Sequence, residues 1–219
     1  MIRARDLLRL PVLLLTAFLL SAGTAAAERA GEFDFYVLAL SWSPTYCASA
    51  GRGGDPMQCR AAKPYRFIVH GLWPQHERGY PAFCRAGPRD APRGAVDSIL
   101  DIMPSRGLAR HEWRKHGTCS GLTPYAYFET TRAAFERVKI PPAFNSVADG
   151  NRMTPDAVET AFRLANPGLR DNAIAVDCAN GRLKEVRICL TRDLAFRSCP
   201  AIDRRGCRAS NIFVPAPGR

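Results

Sequence analysis

The chain has 219 residues, 47% of them hydrophobic, with 31 Lys and Arg against 20 Asp and Glu and a formal net charge of +11. That length suits one domain with a sizeable core, and the basic balance favours polyanionic partners. Internal repeats, low-complexity tracts and, beyond the N-terminal leader, any segment apolar enough to cross a bilayer are excluded.

In residues 1–27, Arg3, Arg5 and Arg9 precede the apolar stretch Leu10 to Leu20, interrupted by Pro11, and small residues end at Ala25, Ala26 and Ala27. This is the pattern of a cleaved secretory signal, and its apolar core falls short of the ~20 residues needed to span a membrane. The mature chain is expected to begin near Glu28, with 28–219 forming a single domain. Losing Arg3, Arg5, Asp6 and Arg9 lowers the formal net charge from +11 to +9.

The runs FDFYVLALSW (33–42) and YRFIV (65–69) are aromatic and β-branched and read as strands. Loops follow at Gly51 to Pro56 and at Gly79 to Gly94. A helix is expected from Ala95 to Met103, ended by Pro104, and HEWRKH (111–116) is read as helical. Thr123 followed by Pro124 opens a helix to about Val138, with Phe128 and Phe135 on one face. Thr154 and Pro155 repeat the device, and Asn166, Pro167 and Gly168 stop that helix. Asn180 and Gly181 form a hairpin turn between AIAVDC and RLKEVRICL. In the second arm Val186, Ile188 and Leu190 alternate and mark one buried face. Strand, long helix and strand do not repeat in order, so a doubly wound parallel sheet is excluded and the class is α+β.

The eight cysteines, Cys47, Cys59, Cys84, Cys119, Cys178, Cys189, Cys199 and Cys207, all follow the leader, and none makes a C-x-x-C pair. An even count behind a secretory signal predicts disulfides in an oxidising compartment rather than a zinc site. Spacing alone does not say which pairs form.

All four histidines lie between positions 70 and 116: His70, His76, His111 and His116. At about 100° per residue, His111, Lys115, Glu112 and His116 share an arc of about 140° on a helix, with Trp113 and Arg114 outside it. The H-E-x-x-H spacing of a zinc hydrolase is absent, because the histidines are five positions apart. His70, on a loop after the strand 65–69, supplies an imidazole from a separate segment. A base, an acid and cations around a phosphorus atom are what cleavage of RNA through its own 2′-hydroxyl requires, with no metal and no cofactor.

FIVHGLWPQ and HEWRKHGTC closely resemble the two active-site segments of the ribonuclease T2 family. The resemblance extends over nearly the whole mature chain, through FDFYVLALSWSPTYC, KEVRICL and the spacing of the last four cysteines. It implies an antiparallel sheet backed and flanked by helices, stabilised by Cys47–Cys59, Cys84–Cys119, Cys178–Cys207 and a nested Cys189–Cys199. It also implies that His70 and His116 are acid and base in the first step, that His111 binds phosphate, and that Glu112 and Lys115 stabilise the transition state. The expected substrate is single-stranded RNA, cut through a 2′,3′-cyclic phosphate.

Base binding is expected from aromatic stacking and edge hydrogen bonds. Trp73 is the candidate platform, against the alternative that it wedges its loop onto the core. Gln75 and Tyr80 are candidates for the first base pocket and Leu108 for the second. The neutral amide of Gln75 points to broad base specificity. His76 reads as a surface-loop residue, Trp42 and Trp113 as core, and Arg114 as a surface charge. The competing reading is a non-catalytic basic protein that binds RNA or an anionic surface on the same scaffold. A monomer in the periplasm or the medium is expected.

Overall fold

The computed structural model describes residues 29–145 and 149–217, so the expected leader lies outside the described residues. In chain order the elements are β1 (Phe35–Trp42), α1 (Ser43–Ala50), α2 (Pro56–Cys59), β2 (Phe67–Gln75), α3 (Arg93–Asp97), α4 (Arg106–Lys115) and α5 (Pro124–Arg137). β3 (Asn151–Met153), α6 (Pro155–Ala165), β4 (Ile174–Ala179), β5 (Arg182–Leu190), α7 (Pro200–Asp203) and β6 (Ile212–Val214) complete them.

β1 runs through the middle of the sheet, antiparallel to β2 on one side and to β5 on the other. Strand alternation gives this sheet two different faces. On one, Tyr36, Leu38, Leu40 and Trp42 of β1 join Val186, Ile188 and Leu190 of β5, and Trp113, Tyr127, Phe128 and Phe162 from the helices cover them. On the other, Phe35 and Val37 meet Cys189 and Cys199, with Trp73 and Ile202 beside them. The longer helices thus crowd one face, and the opposite face, with a smaller apolar cluster, keeps room for polar side chains.

The sheet is mixed rather than purely antiparallel as expected: β6 runs parallel to β5 at Arg182 and Phe213. The chain between them is a long crossover carrying α7, which is what parallel neighbours require, whereas a hairpin can only deliver an antiparallel strand. The β4–β5 hairpin follows its turn chemistry, with Asn180 at φ 50° and Gly181 at φ 68°. That is the left-handed pair a type I′ turn needs.

β2 departs from the expected strand 65–69. It starts at Phe67 and continues to Gln75, because a bulge lets it run on: Leu40 pairs with Val69 and Ala39 with Gly71, leaving His70 as the extra residue. A bulge also reverses which side chains face which side. Before it Phe67 and Val69 enter the main core, and after it Leu72 does. Trp73 is turned to the other face.

The two proline-initiated helices form as their caps predict, Thr123 and Thr154 each accepting a backbone N–H from three residues on. α6 ends at Asn166, whose side chain bonds both Phe162 and Lys139. The expected helix 95–103 is shorter and earlier, Arg93–Asp97. The Ser98 hydroxyl donates to the Ala95 carbonyl at 2.8 Å, a local bond that competes with helical propagation. Irregular turns then carry Ile99 and Met103 into the core. The expected loop 51–56 includes a 3-10 turn at Gly51–Gly53 and leads into α2, and α1 precedes it.

Four disulfides are present, Cys47–Cys59, Cys84–Cys119, Cys178–Cys207 and Cys189–Cys199, the same pairs that the resemblance implies. Cys84–Cys119 ties the loop after β2 to the turn that follows α4. The last two pin the α7 segment to β4 and β5. Among the described residues no helix is long and apolar enough to cross a membrane.

Candidate active site

α4 starts five residues before His111, at a cap where the Ser105 hydroxyl accepts the Leu108 N–H at 3.2 Å. The helix lies against β2, an edge strand of the sheet. Ala109 and Trp113 enter the main core, and Glu112 and His116 are also buried. His116 is the first residue past the helix, its backbone N–H bonded to the Glu112 carbonyl at 2.9 Å. A tight turn follows at Gly117, where any side chain would strike the rings of Trp113 and Tyr127. The glycine of HGTC therefore holds His116 in place by leaving room for two aromatic rings.

β2 and α4 together line one cavity of about 270 Å³ that contains His70, Trp73, Gln75, Tyr80, His111, Glu112, Lys115 and His116. Trp73 touches both imidazoles of interest: its ring centroid is 5.3 Å from that of His70 and 5.4 Å from that of His116, the latter stacked. Its indole N–H donates to Glu112 Oε2 at 2.7 Å. Trp73 is thus neither an unattached platform nor a simple wedge, because its nitrogen holds a buried carboxyl while its ring borders the cleft. Tyr80 is exposed at the rim, 6.0 Å from the His116 ring, with the Lys115 ammonium 5.9 Å from its centroid.

His70 sits within a strand, at the bulge, and not on the loop that the short strand 65–69 would have left it on. Its Nδ1 lies 2.5 Å from Glu185 Oε2, and its Nε2 is 3.8 Å from Glu112 Oε1. Glu185 also receives Arg187 Nε at 2.8 Å and the Ser41 hydroxyl at 3.3 Å. These side chains meet because the register places Ser41 opposite Glu185 and Ala39 opposite both Gly71 and Arg187.

The two imidazoles experience opposite fields. Burial pulls the His70 pKa down, but the hydrogen bond and charge of Glu185, with the charge of Glu112, outweigh it and leave the value raised. For His116, burial and the nearby charges of Lys115, His70 and His111 all favour the neutral ring and lower its pKa to about 3. Burial pushes the Glu112 carboxyl up to about 7 against the pull of His70, the Trp73 N–H and Lys115. His111, at the surface end of the group, is lowered by partial burial and by Lys115 and Arg114. In mildly acidic solution the cleft therefore offers a charged His70, a neutral His116 and a protonated Glu112. One imidazole is set to give a proton and the other to take one.

Leu108 is not in this cavity. It lines a second one of about 400 Å³ with Ile68, Ser41, Thr45, Gln58 and Lys184, and His70 is the residue common to both. His76 lines neither; its Nδ1 is 3.9 Å from Asp34 at the far end of β2. Trp42 and Trp113 are core residues, and Arg114 pairs with Asp90 at 3.0 Å away from the cleft.

Residue-by-residue reading missed Glu185, Arg187, Val37, Ile202 and Arg205, all beside His70 or lining the main cavity. One signal was available. In KEVRICL the apolar residues fill one face, so Glu185 and Arg187 share the other with Cys189, and a carboxylate inside a central strand needs a partner. Ile202 and Arg205 reach the cleft only through the disulfide-pinned α7 segment. Among the described residues no group of three or more His, Cys, Asp and Glu side chains is arranged to hold a metal ion.

The model of the Ribonuclease T2 family matches residues 33–199. A ribonuclease of Aeromonas hydrophila is 35% identical over 177 residues, covering 79% of this chain and 79% of that protein. Ribonuclease I of Escherichia coli is 26% identical over 234 residues, covering 87% and 84%. The fold is similar to that of the solved RNase-related protein from Calystegia sepium, with a TM-score of 0.66 at 24% identity, covering 85% of this chain and 98% of the other.

Proposed function

The chain belongs to the ribonuclease T2 family, and from that premise we propose that this ribonuclease cuts single-stranded RNA by transphosphorylation through a 2′,3′-cyclic phosphate to 3′-phosphate ends. His116 takes the proton of the 2′-hydroxyl as that oxygen attacks phosphorus. His70 gives its Nε2 proton to the departing 5′-oxygen. Lys115 and His111 face the non-bridging oxygens, and the protonated Glu112 carboxyl donates a hydrogen bond to one of them. In the second stage the histidines exchange roles, His70 activating water and His116 protonating the 2′-oxygen as the cyclic ester opens. Each step is a proton transfer or a charge neutralised by a side chain of this protein.

The observation that carries this reading is the convergence of His70 and His116 on one cavity, from two separate segments, in fields of opposite sign. The binding-only alternative has no use for that division. A base is read as lying against Trp73, Gln75 and Tyr80, and the base across the scissile bond as entering the Leu108 cavity. Among the described residues no acidic side chain lines the first of these beyond Glu112, which supports broad base specificity. Four disulfides and the leader pattern support an oxidising compartment, periplasm or medium, and a monomer completes the proposal.

The test is digestion of a mixed-sequence oligoribonucleotide in excess chelator, with products weighed by mass spectrometry. Cyclic phosphate ends maturing to 3′-phosphates after every base, with the matching DNA uncut, are expected. Loss of cutting in chelator, or 5′-phosphate ends, would reject the mechanism.

The pH dependence has a definite sign. His116 must be neutral, so kcat/KM holds into acid and falls only toward its lowered pKa of about 3. His70 must be protonated, so the rate falls as pH rises through its raised pKa, and Glu112 loses its proton near 7 in the same range. A bell with its plateau on the acidic side of neutrality is expected from rates on a dinucleoside monophosphate. A rate climbing steadily into alkali would contradict the assignment.

A further inference from the structure

We propose that Glu185 is the positioning residue of this enzyme. By accepting the Nδ1 proton of His70 it fixes the ring and its tautomer, keeps the ring charged, and leaves Nε2 facing the cleft to protonate the leaving oxygen. The inference rests on the reading of His70 as the acid of the first step and adds a residue from β5 to it.

The geometry is specific. Glu185 is fully buried in a strand paired on both sides, by β1 and by β4. A carboxylate there is costly unless it is paired and hydrogen-bonded, and besides the Ser41 hydroxyl at 3.3 Å its partners are the His70 ring and the arginine behind it. Oε2 faces His70 Nδ1 at 2.5 Å and Oε1 accepts Arg187 Nε at 2.8 Å. Arg187 is itself anchored, its second nitrogen on Asp177 at 2.9 Å. The chain Asp177, Arg187, Glu185, His70 thus runs across the sheet and ends at the ring beside the cleft.

A carboxylate behind the Nδ1 of an imidazole settles two questions for the other nitrogen. It selects the tautomer, because Nδ1 must carry a proton to bond an acceptor-only group. It also stabilises the imidazolium, so Nε2 holds a proton to give. Glu112 is no substitute: it stands 3.8 Å from Nε2, on the side where substrate must enter, and is bonded to Trp73. The charged and titratable groups around His70 are Glu185, Lys184 and Arg187 from β5, and Glu112, His111 and His116 from the α4 segment. Of these only Glu185 bonds the nitrogen turned away from the cleft.

Two variants and one measurement on the unaltered protein test this. Glu185→Gln keeps an acceptor for Nδ1–H and removes the charge. The alkaline limb of the kcat profile should then move toward acid by about one pH unit or more, the acidic limb staying put, since removing an anion beside an imidazolium lets its proton leave at lower pH. Glu185→Ala removes the acceptor as well as the charge, so its alkaline limb should move in the same direction and its plateau kcat should also fall, with little change in KM. A purely structural role would scale the whole profile and move neither limb. In the unaltered protein, nitrogen NMR of His70 should show a ring that stays charged to higher pH than a free imidazole and keeps its last proton on Nδ1. This readout needs no variant to fold and no RNA to be cut. A neutral His70 carrying its proton on Nε2, or a folded Glu185→Gln enzyme with an unmoved alkaline limb, would overturn the proposal. Full activity in a His70→Ala enzyme would instead overturn the reading of His70 as the acid, so the two failures are distinguishable.

Discussion

Replacing His116 by alanine should lower kcat/KM on dinucleoside monophosphates by ~10²- to 10⁴-fold, the usual cost of losing one general acid or base. The reason lies in its surroundings. The residue is 4% exposed, its pKa is lowered to about 3, and among the described residues its Nδ1 has no hydrogen-bond partner. A neutral imidazole that burial keeps from being protonated in the free enzyme is a base available across the acidic range. Its neighbour Glu112 cannot replace it in that range, because it holds a proton until about 7. His70→Ala should cost a similar factor but leave a different signature. The His116 variant should lose the acidic limb of the pH profile, because the group whose protonation defines it is gone. The His70 variant should lose its share of the alkaline limb. Substrate affinity should change little in either, since Lys115 and His111 still meet the phosphate. Both proteins should keep the four disulfides and the native circular dichroism. Near-normal rates in both folded variants would remove the catalytic pair and return the chain to the binding-only alternative, against its family.

The part of the site on α4 was legible because a helix translates spacing into direction. His111, Glu112, Lys115 and His116 share an arc in the sequence and line one cavity in the structure. The caps at Thr123 and Thr154 and the Asn180–Gly181 turn were legible for the same reason, each being a local device whose geometry its own residues set. The continuation of β2 was not. A bulge breaks the alternation at the very residue where strand periodicity would have to be followed, so the run YRFIV (65–69) reads as complete and His70 as loop. Glu185 was hidden more deeply. A charge in a strand ordinarily means a solvated face, and only the order of β2, β1 and β5 in the sheet reveals that this face holds the back of the active site. Leu108 shows the converse. A candidate for the second base pocket, it does stand by His70, in a separate cavity that no sequence pattern delimits.

The glycine that follows His70 gives the second large effect. Gly71→Ala should reduce kcat by a factor approaching the ~10² that loss of one oxyanion-stabilising donor costs. The overpacked site should also lower stability by about 1–3 kcal/mol. Backbone freedom is not the cause, because Gly71 is not among the glycines with positive φ. The cause is space: a methyl group there would collide with the Glu112 carboxylate oxygen and with the Trp73 indole nitrogen, the two atoms that bond each other at 2.7 Å. Gly71 is paired with Ala39 in the ladder and cannot retreat, so the carboxyl and the indole must part. Glu112 then leaves the phosphate site, and Trp73 loses the bond that fixes its ring between the two imidazoles. A double-mutant cycle isolates this coupling. In a Glu112→Ala background one of the two obstacles is gone and the indole, no longer bonded to it, is free to shift, so adding Gly71→Ala should cost less than it does alone, both in kcat and in melting temperature. Equal costs in the two backgrounds would mean that Gly71 matters for the strand and not for Glu112.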